Sequence, residues 1–159
     1  MGSHLKLAQL EKLLDVNDGT VATLANASAF LYDCLEDVNW AGFYLLDGDA
    51  LVLGPFQGKP ACTRIPVGAG VCGTAFARGE TLCVGDVHCF EGHIACDAAS
   101  DSEIVVVLRD SLGRAFGVLD VDSPKRERFS AQDQEFLERA AEIVSRAVSN
   151  IVPERDTIQ

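Results

Sequence analysis

The sequence predicts one α+β domain in which an antiparallel sheet is flanked by N- and C-terminal helices. Its 159 residues fall within the range of ~100–200 residues that one domain usually takes, and 48% of them are hydrophobic. Apolar residues recur at helical spacing near both ends of the chain, whereas in the middle apolar and polar residues alternate with period two. We assign residues 5–152 to the domain, 153–159 to a C-terminal tail and 1–4 to an expression-tag scar.

Two helices are predicted before the sheet. The first ends near Asn17-Asp18-Gly19, and its apolar residues at helical spacing are Leu7, Leu10, Leu13 and Leu14. The second follows Thr20, and its apolar stripe consists of Val21, Leu24, Ala27, Leu31 and Leu35.

The middle of the chain supplies the strands. Predicted strands cover 40–46, 51–56, 62–66, 82–84, 103–108 and 115–121. The turns at 47–49 and 110–113 join two pairs of them as hairpins. A short helix over 71–77, closed by Gly79, lies between the third and fourth strands. The last helix begins at the capping residue Ser130, ends at Val152-Pro153, and its predicted core face is Leu137, Ala140, Ala141, Val144, Val148 and Ile151.

The charge balance limits the partners of the protein. Lys and Arg number 13 against 24 Asp and Glu, for a net charge of −11. An acidic surface repels phosphate backbones and anionic lipid, so we expect neither nucleic acid nor membrane as a partner. No apolar run approaches the ~18 residues of a membrane span, and no secretion signal is recognisable. We therefore expect a cytoplasmic protein with reduced thiols.

Three of the six cysteines stand in settings that favour chemistry. Cys62 lies at the entry of the third predicted strand, Cys72 lies where the short helix begins, and Cys96 lies in the long loop over 85–102. A helix N-terminus favours a thiolate, so we expect a lowered pKa for Cys72. The alternative is that these cysteines are small core residues. Cys34 and Cys83 are predicted to pack in the core, whereas Cys89 is predicted at the surface of the loop.

A zinc site is the alternative interpretation of the long loop. His88, Cys89, His93 and Cys96 are possible ligands, but their spacing lacks the paired pattern of common structural zinc sites. We therefore predict no metal.

Acidic residues and aromatic residues form two further candidate groups. Asp120 and Asp122 flank Val121 on a strand and hence point to one face, and Glu103 opens the neighbouring strand. The three carboxylates either converge on a pocket or are solvated at a fraying strand end. Trp40 and Tyr44, four residues apart on a strand, form either an aromatic wall or part of the core.

Seven short motifs together resemble the free methionine-(R)-sulfoxide reductases, a family built on a single GAF domain. They are Gly58-Lys59-Pro60-Ala61-Cys62, Arg64-Ile65-Pro66, Gly70-Val71-Cys72-Gly73, Asp86-Val87, Gly92-His93-Ile94-Ala95-Cys96-Asp97, Ser102-Glu103-Ile104-Val105 and Gly117-Val118-Leu119-Asp120-Val121-Asp122-Ser123. The resemblance covers roughly residues 39–148 and implies a GAF-like fold.

The resemblance also implies an activity and roles for residues. The substrate is free L-methionine-(R)-sulfoxide, Cys96 is the nucleophile, and Cys62 and Cys72 resolve or relay the oxidised form. Which of Cys96 and Cys72 attacks first stays open. The acidic pocket is Glu103, Asp120 and Asp122, and the aromatic positions are Trp40 and Tyr44. No cofactor is implied; the reductant is thioredoxin and the assembly a homodimer. The alternative function is a non-catalytic sensor that binds a small ligand such as a cyclic nucleotide.

Overall fold

The computed structural model describes residues 2–90, 92 and 100–149. The helices in these residues are α1 (Ser3–Leu13), α2 (Thr20–Cys34), α3 (Gly70–Arg78) and α4 (Ala131–Ser149). The strands are β1 (Trp40–Asp47), β2 (Ala50–Gly58), β3 (Arg64–Pro66), β4 (Leu82–Val84), β5 (Ser102–Arg109) and β6 (Ala115–Ser123), and a short 3-10 helix covers Val87–Cys89. No helix in these residues has the length and apolar character that crossing a membrane requires.

One antiparallel sheet forms the centre of the domain. Its strand order is β3-β2-β1-β6-β5-β4. Both predicted hairpins, β1–β2 and β5–β6, are present, and their inner strands β1 and β6 pair with each other. The pairing of β1 with β6 joins segments about 80 residues apart. It places β1, β6 and β5 next to one another, so that side chains of these three strands lie together on each face of the sheet.

The two faces of the sheet carry different layers. Helices α1, α2 and α4 pack on one face, where the larger hydrophobic core includes Leu24, Leu31, Phe43, Leu119 and Leu137. The short helix α3 packs on the other face against β5 and β6, over a smaller cluster. The predicted α+β fold with helices at both ends of the chain is therefore confirmed.

The helix boundaries differ from the predictions in limited ways. Helix α1 ends at Leu13, before the predicted Asn17-Asp18-Gly19, and Leu13 is exposed. Val21 is also exposed, because at 3.6 residues per turn it lies roughly 90° from the centre of the buried face of α2. Ser130 caps α4 as predicted, since its Oγ accepts a hydrogen bond from the Asp133 N–H at 3.1 Å. Ile151 and the predicted end of the last helix lie outside the described residues.

Gly42 is required by the close approach of aromatic side chains to β1. A Cβ at this position would overlap Cβ of Phe56 and lie 2.9 Å from Cη2 of Trp40. We expect Gly42→Ala to lower the free energy of unfolding by about 1–3 kcal/mol, because strand β2 or the indole must move. Trp40 is the single tryptophan of the chain, so its fluorescence during urea unfolding reports both stability and local packing. Unchanged stability and an unchanged emission spectrum would contradict this prediction.

Candidate active site

Most of the residues selected from the sequence meet on the face of the sheet that α3 covers. Trp40 of β1 pairs with Asp122 of β6, and Asp122 pairs with Glu103 of β5, so the three lie in one row across the sheet. Asp120 lies two residues from Asp122 on the same face. Cys72 of α3 lies over this row, with its Sγ 3.9 Å from Oε2 of Glu103. The structure thus gathers the three carboxylates and one of the three selected cysteines.

Cys72, Glu103 and Asp120 form a tight buried group, which we call the acidic cluster. Their exposed fractions are 4%, 9% and 5%. One ligand atom from each residue lies within 4.8 Å of the other two. The side chain of Glu103 is one of the neighbours that raise the pKa of the Asp120 carboxyl group. The Oδ1 atom of Asp120 has no hydrogen-bond partner within the described part of the chain.

Burial makes Asp120 a weak acid. Removal from water, together with the charges of Asp122 and Glu103, raises the pKa of Asp120 well above its usual range. A carboxyl group with a raised pKa keeps its proton closer to neutral pH, and in that form it can serve as a general acid. In its protonated form Asp120 can therefore donate a proton to a group beside it.

The expectation of a lowered pKa for Cys72 is wrong. Complete burial, and then the charges of Asp120 and Glu103, raise the pKa of the Cys72 thiol well above its usual value. The N-terminus of a helix contributes only about 0.3–1 kcal/mol in favour of an anion in exposed settings, which does not offset these effects. A positively charged ligand beside the carboxylates would lower this pKa again.

The aromatic residues lie on the same face as the acidic cluster and hold the segment that carries Cys62. Trp40 and Tyr44 stack at a centroid distance of 6.0 Å. The Trp40 Nε1–H donates to the carbonyl of Lys59 at 3.1 Å, and the Tyr44 hydroxyl donates to the carbonyl of Cys62 at 2.9 Å. These two hydrogen bonds fix the backbone at Cys62 relative to β1.

Phe56 is part of this aromatic group and was not selected from the sequence. Its ring stacks on Trp40 at 5.1 Å. Its place in a predicted strand was visible in the sequence, but only the pairing of Phe56 with Gly42 puts it on the face of Trp40. No local sequence signal distinguishes it from the other apolar residues of that strand.

The cysteines differ in environment. Cys62 is half-buried and disulfide-bonded, whereas Cys34, Cys72, Cys83 and Cys89 have free thiols. Cys62 precedes β3 and does not belong to it, because the strand begins at Arg64. The expectation that Cys83 lies in the core is wrong: it is exposed, since it lies on the short edge strand β4. Cys89 is exposed as predicted, and Cys34 packs against the larger core.

Cys96 and His93 lie outside the described residues. The structure therefore places neither the selected nucleophile nor the complete alternative zinc set. His88 and Cys89 are exposed and contact different carboxylates, with His88 Nε2 3.0 Å from Asp101 Oδ1 and Cys89 Sγ 3.4 Å from Asp86 Oδ2. Within the described residues, the acidic cluster is the group of three or more side chains arranged to hold a metal.

Comparison with known proteins gives consistent matches over most of the chain. Residues 7–148 match the GAF domain family. The free methionine-R-sulfoxide reductase of Escherichia coli is 62% identical over 117 residues, 74% of this chain and 70% of the relative. The free methionine-R-sulfoxide reductase of Saccharomyces cerevisiae is 43% identical over 148 residues, 89% of this chain and 82% of the relative.

A solved structure with a bound substrate is also similar. The free methionine-R-sulfoxide reductase of Neisseria meningitidis, in complex with its substrate, is 46% identical, with a TM-score of 0.86 over 93% of this chain and 89% of that chain. The six-stranded sheet with its terminal helices and the match over 7–148 define the class, and the chain belongs to the GAF domain family. Within that class it belongs to the free methionine-R-sulfoxide reductases, which confirms the resemblance drawn from the motifs.

The raised pKa of Asp120 predicts how the stability of the protein changes with pH. Because the pKa is higher in the folded than in the unfolded state, Asp120 contributes stability below the unfolded pKa of ~3.9, and this contribution is lost as the pH rises through the folded pKa. We expect Asp120→Asn to raise Tm at neutral pH by at least a few degrees, since about 1 kcal/mol corresponds to ~2–4 °C in a domain of this size. This gain should disappear near pH 4.

Asp110 provides a matched control for this measurement. Its pKa is lowered by hydrogen bonds from the backbone and from the side chain of Arg114, so its contribution to stability is present above the unfolded pKa and is lost as the pH falls. Asp110→Asn should therefore lower Tm at neutral pH, opposite in sign to Asp120→Asn. Thermal unfolding of both variants between pH 4 and 8, followed by circular dichroism, checks the two signs. Equal shifts in the two variants would contradict the effect assigned to burial.

Proposed function

We propose that the protein reduces free methionine-(R)-sulfoxide to methionine, using cysteine thiols as the source of electrons. Membership of the free methionine-R-sulfoxide reductases supports this activity. The observation that carries the proposal is the acidic cluster, in which a thiol and two carboxyl groups are buried within 4.8 Å of one another. A buried acceptor group of this kind suits a small cationic ligand and disfavours the anionic phosphate of a nucleotide.

The acidic residues explain selectivity for the free amino acid. A carboxylate recognises a charged α-amino group, which a residue inside a peptide lacks. Asp120 Oδ1, buried and without a partner in the described residues, supplies an acceptor, and Asp122 and Glu103 supply further negative charge in the same row. In this arrangement the wall formed by Trp40 and Tyr44 contacts the apolar part of the substrate.

The first chemical step transfers oxygen from the substrate to a cysteine. The thiolate of Cys96 attacks the sulfoxide sulfur, the oxygen accepts a proton, and the products are methionine and a cysteine sulfenic acid. The substrate sulfur is reduced and the cysteine is oxidised by two electrons. The raised pKa of Asp120 supports its role as the proton donor. The raised pKa of Cys72 makes its thiolate scarce, which favours Cys96 as the first nucleophile.

The second step forms a disulfide. A resolving thiol attacks the sulfenic acid, a sulfur–sulfur bond forms, and water leaves. Cys62 and Cys72 are the candidates for this thiol. The disulfide-bonded state of Cys62 and its anchoring through Tyr44 support Cys62 as the resolving residue, with Cys72 as the relay. An external dithiol, which we propose to be thioredoxin, then restores the thiols.

The proposed function also covers the cofactor, the assembly and the compartment of the protein. The reaction as written needs no metal or organic cofactor. A homodimer is proposed from the family resemblance, and exposed apolar side chains on the N-terminal helices, Leu5, Leu13 and Val21, are compatible with contact between copies. The cytoplasm is the proposed compartment because a thiol cycle needs reduced cysteines.

The decisive experiment follows both diastereomers of free methionine sulfoxide in the presence of thioredoxin or dithiothreitol. We expect the (R) form alone to be consumed. Cys96→Ser should abolish turnover, because the sulfenic acid cannot form. Cys34→Ser is the matched control and should retain the wild-type rate, since Cys34 packs on α2 beside the larger core.

Single-turnover release of methionine without reductant separates the roles of the thiols. A variant that releases methionine once but does not cycle lacks the resolving thiol, which is the result expected for Cys62→Ser. Equal activity of Cys96→Ser and Cys34→Ser would show that the nucleophile is assigned wrongly. A wild-type protein that binds methionine sulfoxide without consuming reductant would instead be a sensor.

The acidic residues are tested through the charge of the substrate. Asp122→Asn keeps the size of the side chain but removes its charge, and a charge-assisted hydrogen bond is worth about 1.5–3 kcal/mol. The expected loss in kcat/KM is therefore roughly tenfold to a hundredfold. Asp49→Asn, in the exposed β1–β2 turn, is the control and should leave kcat/KM unchanged.

The same loss should appear when the charge is removed from the substrate. N-acetylated methionine-(R)-sulfoxide should be a poor substrate for the wild-type protein, because its nitrogen is uncharged. If Asp122→Asn is silent and acetylation barely changes the rate, the carboxylates do not bind the ammonium group.

A further inference from the structure

We propose that the acidic cluster of Cys72, Glu103 and Asp120 is also a binding site for a thiophilic divalent cation, Zn²⁺, which excludes the substrate. The cation would be a reversible inhibitor and not a cofactor. The claim that zinc excludes the substrate rests on the proposed function, because zinc and the sulfoxide would use the same carboxylates. The claim that zinc binds to the acidic cluster does not rest on it.

The geometry of the cluster suits a tetrahedral metal. Zinc binds a cysteine sulfur at ~2.3 Å and carboxylate oxygens at ~2.0–2.2 Å, which places neighbouring ligand atoms roughly 3.5 Å apart. Here Sγ of Cys72 lies 3.9 Å from Oε2 of Glu103, and one ligand atom of Asp120 completes a group within 4.8 Å. With three protein ligands, a tetrahedral zinc would take water or another ligand as the fourth.

An independent observation, an unpaired buried oxygen, points to a ligand at this cluster. Asp120 is only 5% exposed, and its Oδ1 atom is buried without a hydrogen-bond partner in the described residues. Leaving a buried acceptor unpaired is costly, and the cost is larger if the acceptor is charged. A cation at this point satisfies the free oxygen and offsets the mutual repulsion of the carboxylates.

The identity of the ligand atoms selects the metal. A thiolate is a soft ligand that zinc favours, whereas Ca²⁺ takes six to eight oxygens and Mg²⁺ requires an octahedral oxygen shell. Three protein ligands also match zinc sites that keep one open position. The exposed Cys89 near Asp86 and His88 offers the competing location, but the Asp86 carboxylate already pairs with Arg126 at 3.8 Å.

Equilibrium dialysis against Zn²⁺ alone, followed by metal analysis, tests the site in protein purified without reductant. In this form the Cys62 sulfur is in a disulfide and is not a thiolate ligand. We expect one zinc per chain, and Cys72→Ser and Asp120→Asn should each weaken binding more than tenfold, since even outer partners of metal ligands contribute ~10–100-fold. Cys89→Ser is the matched control and should bind zinc like the wild type.

A second measurement distinguishes loss of the metal site from misfolding of the variants. Replacement of Zn²⁺ by Co²⁺ should produce a near-ultraviolet thiolate-to-metal band in the wild type and in Cys89→Ser. The band should be absent from Cys72→Ser and from Cys72→Ala, whose far-ultraviolet circular dichroism should match that of the wild type. Free methionine-(R)-sulfoxide, which this oxidised form does not turn over, should lower the apparent zinc affinity.

Two results would overturn the zinc site: no zinc binding, or equal binding by wild type and folded Cys72→Ser. Undiminished zinc binding in the presence of the sulfoxide, in a protein that reduces the sulfoxide when its thiols are reduced, would overturn the exclusion of the substrate. Failure of the zinc site is distinguishable from failure of the proposed function. A protein that reduces the sulfoxide but binds no zinc refutes only the metal site. A protein that binds zinc through Cys72 but reduces no sulfoxide refutes the proposed reductase activity.

Discussion

Burial of acidic side chains beside a thiol, on one face of the sheet, is the constraint on which the rest of the site depends. Asp120 and Glu103 are removed from water, and the charges that act on Cys72 come from these residues and Asp122, all of them acidic. Such a group is costly to bury unless a cation or a proton compensates it. A cation bound beside these residues would therefore lower the pKa of Asp120 and of the Cys72 thiol.

The architecture of the domain supports this costly arrangement. The large core between the sheet and helices α1, α2 and α4 lies on the opposite face and supplies hydrophobic stabilisation that does not involve the site. On the site face, Trp40 and Tyr44 use their polar ends to hold the backbone at Lys59 and Cys62. The larger core therefore stabilises the domain from the face of the sheet opposite the site.

Most secondary structure could be predicted from the sequence because periodicity is a local property. The hairpins, the short helix before Gly79 and the cap at Ser130 follow from patterns within a few residues. The errors concern the surroundings of two cysteines. Cys83 has apolar neighbours in the sequence but lies on an exposed edge strand. Cys72 lies near the start of a helix but is buried among carboxylates. Local sequence does not contain the neighbours that determine exposure and pKa.

The sequence by itself determined the class of the protein, its motifs and the face shared by Asp120 and Asp122, because alternation along a strand fixes that face. The tertiary structure alone decided what lies beside them. Pairing of β1 with β6 puts Trp40 next to Asp122, and packing of α3 puts the Cys72 thiol over Glu103. These neighbours are distant in the chain, and their proximity comes from strand pairing and burial in the folded domain, which no local pattern encodes.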